Sequence, residues 1–385
     1  MTESTLALGT RAIHAGAPDE RAAGAVVTPI YQSSTYEYHG ESYHDVGYIR
    51  LSTTPNHNVL GERIASLEGA EAGLVTGSGM AAISAVLLTT LAAGDHLLTQ
   101  DVLYGGTNGL FDNALTPLGI SRTVIDPQRP DTWADALRPK TKAFYVETLS
   151  NPLVQLADLE AVVAFAREHG LVTVIDNTFA SPVNFRPAEH GFDLTIESCT
   201  KYMNGHNDIV AGSVVGSAGR VRAIKMTLDH LGGSLDPHAC FLLERGLKTL
   251  PVRVRHQNDS AARIAARLEA HPEVATVQHP SLASHPQHER AGRLLDGFGG
   301  MMAFSLRGGV AAAEGLLAET RLVAHAPSLG GVDTLAVRPH AAVHSGLSEE
   351  QRAHAGIDPG LIRFSVGLED PEDLIADLEQ ALAGR

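Results

Sequence analysis

The chain of 385 residues is 44 % hydrophobic and carries 44 acidic against 29 basic side chains, a formal charge of −15. That length exceeds one average core, so two domains are expected, and an acidic chain with no Lys/Arg run of five argues against nucleic acid or an anionic membrane surface as partner. Two cysteines, Cys199 and Cys240, form neither a disulfide framework nor a zinc spacing, and the longest apolar stretch (80–93) is too short and too rich in hydroxyls to span a bilayer.

Residues 1 to about 55 are rich in Gly, Pro, Thr and Tyr without a sustained helical or strand period, so this segment is expected to lie across another surface. From about residue 57, Leu60, Ile64 and Leu67 recur at helical spacing up to Gly69. Strand-like runs then alternate with helical stretches. Leu74-Val-Thr76 leads to a helix from Met80, residues 96–99 precede a helix over 108–118, 122–125 precede 131–137, and 143–146 precede 156–168. Apolar runs at 171–175, 194–197 and 209–215 complete the series. Such alternation predicts an α/β fold, a mostly parallel central sheet with helices on both faces, binding ligands outside the carboxyl ends of its strands.

Beyond about Pro251 the pattern shifts. A helix over 258–270, a strand over 300–306, a helix over 311–318, a strand over 361–366 and a last helix over 371–383 predict a smaller α+β domain. The expected division is 1–56, 57–250 and 251–385. The N-terminus lacks a basic region ahead of an apolar one, so no secretory signal is visible and a cytoplasmic protein is expected. The 19 histidines include His285/His288 and His340/His344 at ligand-like spacings, but neither pair stands in a His-Glu-x-x-His frame; no metal is expected.

The chemistry is expected at Lys201, in Ser198-Cys-Thr-Lys-Tyr202, just after the run 194–197, and at Asp176, which ends the run 171–175. An acid at one strand end and a lysine after the next suit pyridoxal phosphate: the acid can keep the pyridine nitrogen protonated and the lysine can hold the aldehyde as a Schiff base. Thr76-Gly-Ser-Gly-Met80 sits between strand and helix, where free amides at Gly79 and Met80 can cradle a phosphate, with Ser198 and Thr200 as further donors or as local backbone caps. Tyr104, in a glycine turn, can lie on a pyridine ring and move a proton, or merely pack. Arg363, among apolar neighbours, wants a carboxylate, either a substrate's or an internal partner's.

The Lys201 segment resembles the pyridoxal-phosphate attachment motif of the Cys/Met metabolism (trans-sulfuration) enzymes. So do Thr10-Arg-Ala-Ile-His-Ala-Gly16, Val174-Ile-Asp-Asn-Thr-Phe-Ala-Ser-Pro182, Arg245-Gly-Leu-Lys-Thr-Leu250, Ser328-Leu-Gly-Gly-Val332 and Arg363-Phe-Ser-Val-Gly-Leu-Glu-Asp370, over roughly residues 9 to 384. The resemblance implies an aminotransferase-like fold of type I and pyridoxal 5′-phosphate as cofactor. It makes Lys201 the Schiff-base lysine, Asp176 the partner of the ring nitrogen, Tyr104 the stacking tyrosine, and Gly79, Met80, Ser198 and Thr200 the phosphate cup. It further assigns Arg363, with Asn151 and Ser328, to the substrate carboxylate, and Tyr48 and Arg50 to the phosphate of a neighbouring subunit. A dimer would then be the minimal active unit, and such families pair dimers into homotetramers.

Against that pattern the chain departs after Arg50, where Leu-Ser-Thr-Thr-Pro-Asn replaces a shorter stretch, and at Leu149, which replaces a proline. Gly106 stands where methionine γ-lyases carry a cysteine, Gly109 where some cystathionine enzymes carry an arginine, and no acidic residue occurs at 337–339. The implied activity is γ-elimination or γ-replacement on a sulfur-containing or homoserine-derived amino acid, with cystathionine γ-lyase or γ-synthase as the leading type. The alternatives are an O-acetyl- or O-succinylhomoserine sulfhydrylase, a methionine γ-lyase, a specialised γ-carbon enzyme of secondary metabolism, a β-lyase, and more remotely a pyridoxal-binding protein without activity.

Overall fold

A computed structural model describes residues 6–342, 349–354 and 356–383; His344, of the His340/His344 spacing, lies outside them. Seven strands form the larger sheet: β1 Ala72–Thr76, β2 His96–Gln100, β3 Ser121–Ile125, β4 Thr141–Glu147, β5 Val172–Asp176, β6 Leu194–Glu197 and β7 Gly212–Gly216, in the order β1-β7-β6-β5-β4-β2-β3. Strands β3, β2, β4, β5 and β6 run parallel, and β7 is antiparallel to both β6 and β1. The sheet is thus mostly parallel, as the alternation predicts. The reversal at β7 has a physical reason: the connection from β6 to β7 contains no helix, and a parallel return is usually made through a crossover helix.

That connection also explains why the last strand begins later than the expected 209–215. Thr200 N–H donates to the Ala211 carbonyl (3.1 Å) and Ala211 N–H to Thr200 Oγ1 (3.0 Å), which ties the front of the apolar run to the Lys201 turn instead of the ladder. Helix Pro55–Glu68 carries the predicted stripe, with Leu60, Ile64 and Leu67 buried, and stops at Gly69, whose φ of 70° closes the cap without a Cβ penalty. The expected helix over 108–118 is displaced toward the N-terminus: helix Gly105–Leu110 runs into a wider turn, Phe111–Leu115. The expected helix over 131–137 is a 3₁₀ segment, Pro130–Ala136, anchored by Trp133 Nε1–H on the Asp126 carbonyl at 2.8 Å.

The second sheet has five strands, β8 Val274–Gln278, β9 Met301–Leu306, β10 Ala324–His325, β11 Leu335–Val337 and β12 Ile362–Ser365, ordered β10-β11-β12-β9-β8. Its core of Phe304, Phe364, Ile264, Leu374 and Leu378 is separate from those flanking the large sheet. Helix Leu250–Glu269 begins with a proline in its first turn, so Pro251 starts a long helix instead of breaking the chain, and that helix spans more than the expected 258–270. Within the first 56 residues the structure has features the period did not predict, helix Leu8–His14 and short 3₁₀ turns at Ala22–Gly24, Tyr43–Asp45 and Ile49–Leu51. Ala12 is buried in that helix, and Arg11 reaches the Ser66 carbonyl. The rest of that segment is mostly exposed, including Val26, Val27, Tyr38 and Tyr43.

Candidate functional site

Lys201 sits where β6 ends and the chain must turn back. Lys201 N–H donates to the Ser198 carbonyl (2.9 Å) and Gly205 N–H to the Lys201 carbonyl (2.8 Å), which makes the turn compact. Arg253, buried on helix Leu250–Glu269, pins it from outside through the carbonyls of Tyr202 (2.8 Å) and Met203 (3.3 Å), and ties it to helix Pro237–Leu247 through the carbonyl of Gly246 (2.9 Å). Gly205, at φ 75°, has no alternative: a Cβ there would lie 1.9 Å from Arg253 Nη1. Lys201 Nζ donates to Ser328 Oγ at 3.1 Å. Burial, helped by the nearby Arg363 guanidinium, lowers the Lys201 pKa to about 8, so a neutral, nucleophilic amine is within reach near neutral pH.

Asp176 ends β5 beside it. Burial raises its pKa, and the Thr178 N–H (3.0 Å to Oδ1) and hydroxyl pull it back toward the anion. Thr178 Oγ1 also accepts from Ser198 N–H at 2.8 Å, so the turn carrying the acid and the turn carrying the lysine are hydrogen-bonded to each other. Glu147 ends β4 in register with Asp176 and accepts from Tyr104 N–H at 2.6 Å. Tyr104 starts helix Gly105–Leu110 with its ring partly exposed to the cavity.

The anion cradle forms where Ser78 caps helix Gly79–Thr90, its Oγ accepting from Ala81 N–H at 3.0 Å. The first amides of a helix have no intrahelical partner and point outward. Ser198 closes on them only because Gly79 lacks a side chain; a Cβ there would lie 2.9 Å from Ser198 Cβ. Across the cavity, Arg363 in β12 donates to Asn151 Oδ1 (3.2 Å) and to the carbonyls of Pro327 (2.6 Å) and Ser328 (3.3 Å). It is 3 % exposed, and among the described residues no carboxylate lies within ion-pair distance of it. The internal salt bridge is therefore not what these residues make. Burial lowers the guanidinium to about 10, which leaves it a cation at neutral pH with neutral acceptors.

One cavity of about 430 Å³ is lined by Gly79, Met80, Tyr104, Asn151, Asp176, Ser198, Thr200, Lys201, Ser328 and Arg363, together with Ser78, Ile83, Glu147, Leu149, Thr178, Phe179, Val210, Pro327 and Leu329. The structure thus brings together all but two of the residues singled out in the sequence. Tyr48 and Arg50 stand apart: Arg50 Nη1 donates to the Asp229 carbonyl at 2.7 Å and its guanidinium lies 5.3 Å from the Tyr48 ring centre. Sequence reasoning missed Glu147 and Thr178. Glu147 was findable, since it ends a strand as Asp176 does; Thr178 carries no signal beyond lying two residues after that acid. The donor set fits pyridoxal phosphate part by part. A cradle that a Cβ would fill suits the phosphate, a buried acid suits the ring nitrogen, a facing tyrosine suits the ring and an amine of lowered pKa suits the aldehyde.

A family model described as Cys/Met metabolism PLP-dependent enzyme matches residues 9–383. The chain is 40 % identical over 384 residues to L-methionine gamma-lyase of Pseudomonas putida, covering 97 % of this chain and 96 % of that one. Against cystathionine gamma-lyase of Bacillus subtilis it is 38 % identical over 374 residues, covering 97 % and 98 %. The crystal structure of metB from Corynebacterium glutamicum superposes with a TM-score of 0.95 at 36 % identity over 100 % of both chains. Cystathionine gamma synthase from Xanthomonas oryzae pv. oryzae, in complex with aminoacrylate and cysteine, gives 0.94 at 39 % identity over 98 % of each.

Proposed function

The chain belongs to the Cys/Met metabolism family of PLP-dependent enzymes, and from that premise we propose that its cavity carries out γ-elimination or γ-replacement on a sulfur-containing or homoserine-derived amino acid, of cystathionine γ-lyase or γ-synthase type. The observation that carries the reading is the meeting of Lys201, Asp176 and Arg363 on one cavity wall to wall. Cystathionine enzymes rank ahead of methionine γ-lyase because of Gly106. A Cβ at that position would lie 2.5 Å from Tyr104 Cε1, so a cysteine there would require the Tyr104 ring edge to shift.

Bound in the cradle, the cofactor supplies an electron sink for bonds broken at the substrate's α carbon. The residues do the rest. Arg363, with free donors beyond those spent on Asn151, Pro327 and Ser328, grips the substrate carboxylate as a fork. Asp176 keeps the proton on the ring nitrogen, and Thr178 keeps Asp176 an anion for that purpose. Lys201, poised against Ser328, would take the α proton as a neutral amine and, once it has passed that proton on, take one from the β carbon so that the γ substituent can leave. The Tyr104 hydroxyl hands a proton to the departing sulfur or oxygen. Leu149, Phe179 and Val210 give the side chain an apolar wall.

The same reading divides the chain into an arm (1–56), a cofactor domain (57–250) and a C-terminal domain (251–385). It lends Tyr48 and Arg50 to a partner's phosphate in a cytoplasmic homotetramer. The arm's exposed apolar side chains support that role, since they suit a covered surface. The test offers the purified enzyme cystathionine, methionine, and O-acetyl- and O-succinylhomoserine, with and without a thiol, and scores 2-oxobutyrate. Release from at least one substrate, abolished in Lys201→Ala, is expected. A thiol that diverts release into a thioether marks replacement. Neither 2-oxobutyrate nor thioether from any of the four, or turnover that survives Lys201→Ala, overturns the reading.

A further inference from the structure

The floor of the cavity holds a second acid that the roles above leave idle. Glu147 is buried at the end of β4, directly beside Asp176 in the ladder. An idle buried carboxyl is costly, so its partners indicate its use. Glu147 Oε1 accepts the Tyr104 N–H at 2.6 Å, and its own backbone stands four residues before Asn151 on the wall of the same cavity. The side chain of Asn151 in turn accepts from Arg363 Nη1 at 3.2 Å. The backbone of Glu147 is itself fixed, its N–H donating to Gln100 Oε1 at 2.8 Å while Gln100 Nε2 holds the Val102 carbonyl at 2.6 Å. Helix Gly105–Leu110 has no side-chain cap of its own, so Glu147 is what anchors the residue at its start.

We propose that Glu147 is a positioning residue for the reaction: one buried carboxyl group ties the Tyr104 turn to the end of β4, four residues before the Asn151 that meets Arg363, and so sets the placement of the proton-handling hydroxyl against the gripped substrate carboxylate. The proposal rests on the roles given above to Tyr104 and Arg363. Burial and the neighbouring Asp176 push the Glu147 carboxyl well up, while the Thr178 donors oppose the rise at Asp176, so Asp176 is the readier of the two to hold a charge and Glu147 serves through its side-chain oxygen. A glutamine keeps that oxygen; an alanine removes it.

The test compares Glu147→Gln and Glu147→Ala as cofactor-loaded enzymes, with kcat expressed per loaded site and hydrogen–deuterium exchange followed at the Tyr104 amide. Glu147→Ala is expected to lose about 10²-fold in kcat, the scale of a displacement near 1 Å, with faster exchange at Tyr104 and a raised KM for the amino acid. Glu147→Gln is expected to restore both rate and protection to within a few-fold. The proposal is overturned if Glu147→Ala keeps wild-type kcat per loaded site, if Tyr104 exchange is unchanged, or if Glu147→Gln fails as badly as Glu147→Ala. Exchange at Tyr104 is read even where the wild type turns over none of the four substrates, so a failure of the parent reading is told apart from a failure of this one.

Discussion

Two pairs of carboxyl groups are buried along the large sheet, and the chain treats them in opposite ways. In the cavity, Asp176 accepts from Thr178 N–H and Glu147 from Tyr104 N–H, so each acid meets a fixed backbone donor. At the ends of helix Pro55–Glu68 and of β6, Glu68 and Glu197 lie against each other, 0 % and 1 % exposed, and no backbone N–H of a described residue donates to either carboxyl group. Asn177 stands beside Glu197 but spends an N–H on the Phe185 carbonyl at 2.9 Å. Burial raises all four acids, and what separates them is the donors aimed at them. Desolvation favours the neutral acid; at Asp176 the Thr178 N–H and hydroxyl oppose it, whereas Glu147 stays pushed well up and its donor serves to fix it in place.

The sharpest way to break this contrast is an isosteric, charge-removing change in the first pair. Asp176→Asn is expected to cost on the order of 10²–10³-fold in kcat, the scale of removing an electrostatic stabiliser from a water-poor site, measured as 2-oxobutyrate release per cofactor-loaded site. Wild-type turnover in that variant would mean that the aimed donors serve no charge. Next in size is Arg363→Lys, which keeps the cation and discards the planar fork. Losing one charge-assisted contact costs about 1.5–3 kcal/mol, hence roughly 10–100-fold in kcat/KM, expected mainly as a raised KM for the amino acid. Smaller still is Gly106→Ala. The new Cβ would meet Tyr104 Cε1 at 2.5 Å and Met80 Sδ at 3.1 Å, but a ring edge can swing. A several-fold drop in kcat, roughly 1 kcal/mol, is expected with the fold intact by circular dichroism.

The contrast also explains what could be read in advance. Lys201, Asp176, Tyr104 and the Gly79–Met80 turn announce themselves because each ends an apolar run or opens a glycine-rich turn, and the parallel order of β2 to β6 follows from the strand–helix alternation. Asn151 and Ser328 were legible only through resemblance, since their place beside Arg363 and Lys201 is made by chain segments far apart in sequence. Glu147 obeys the rule that picked out Asp176 and was still passed over, because its apolar run looks complete at Val146. The reversal of β7 and the delay of its start are set by Thr200 and Ala211 bonding across the Lys201 turn, which no local period encodes. Helix Leu8–His14 hides for a simpler reason: its buried face is little more than Ala12. Tyr48 and Arg50 belong to an interface, and within one chain nothing brings them to the cavity.

The smallest effect on catalysis, and the cleanest on stability, is expected from the second pair. The Glu68 pKa rises from 4.5 to about 8, by burial first, against weaker opposition from the hydrogen bond with Glu197 and from Arg186, while Glu189 adds to the rise. Glu197 is raised well above its usual range, with Glu68 and Asp176 adding to burial. For an acid raised on folding, the native state holds a proton that the unfolded chain has released. The stabilisation is therefore complete below pH 4.5 and is lost as pH climbs through about 8, by up to about 1.4 kcal/mol per pH unit for each proton held. Urea midpoints of the cofactor-loaded enzyme should accordingly fall between pH 5 and 9. Glu68→Gln, which cannot ionise, should flatten that fall while leaving kcat within about twofold, an effect below 1 kcal/mol. A slope as steep in Glu68→Gln as in the wild type would show that the alkaline loss comes from elsewhere, and that the unattended pair carries no proton worth counting.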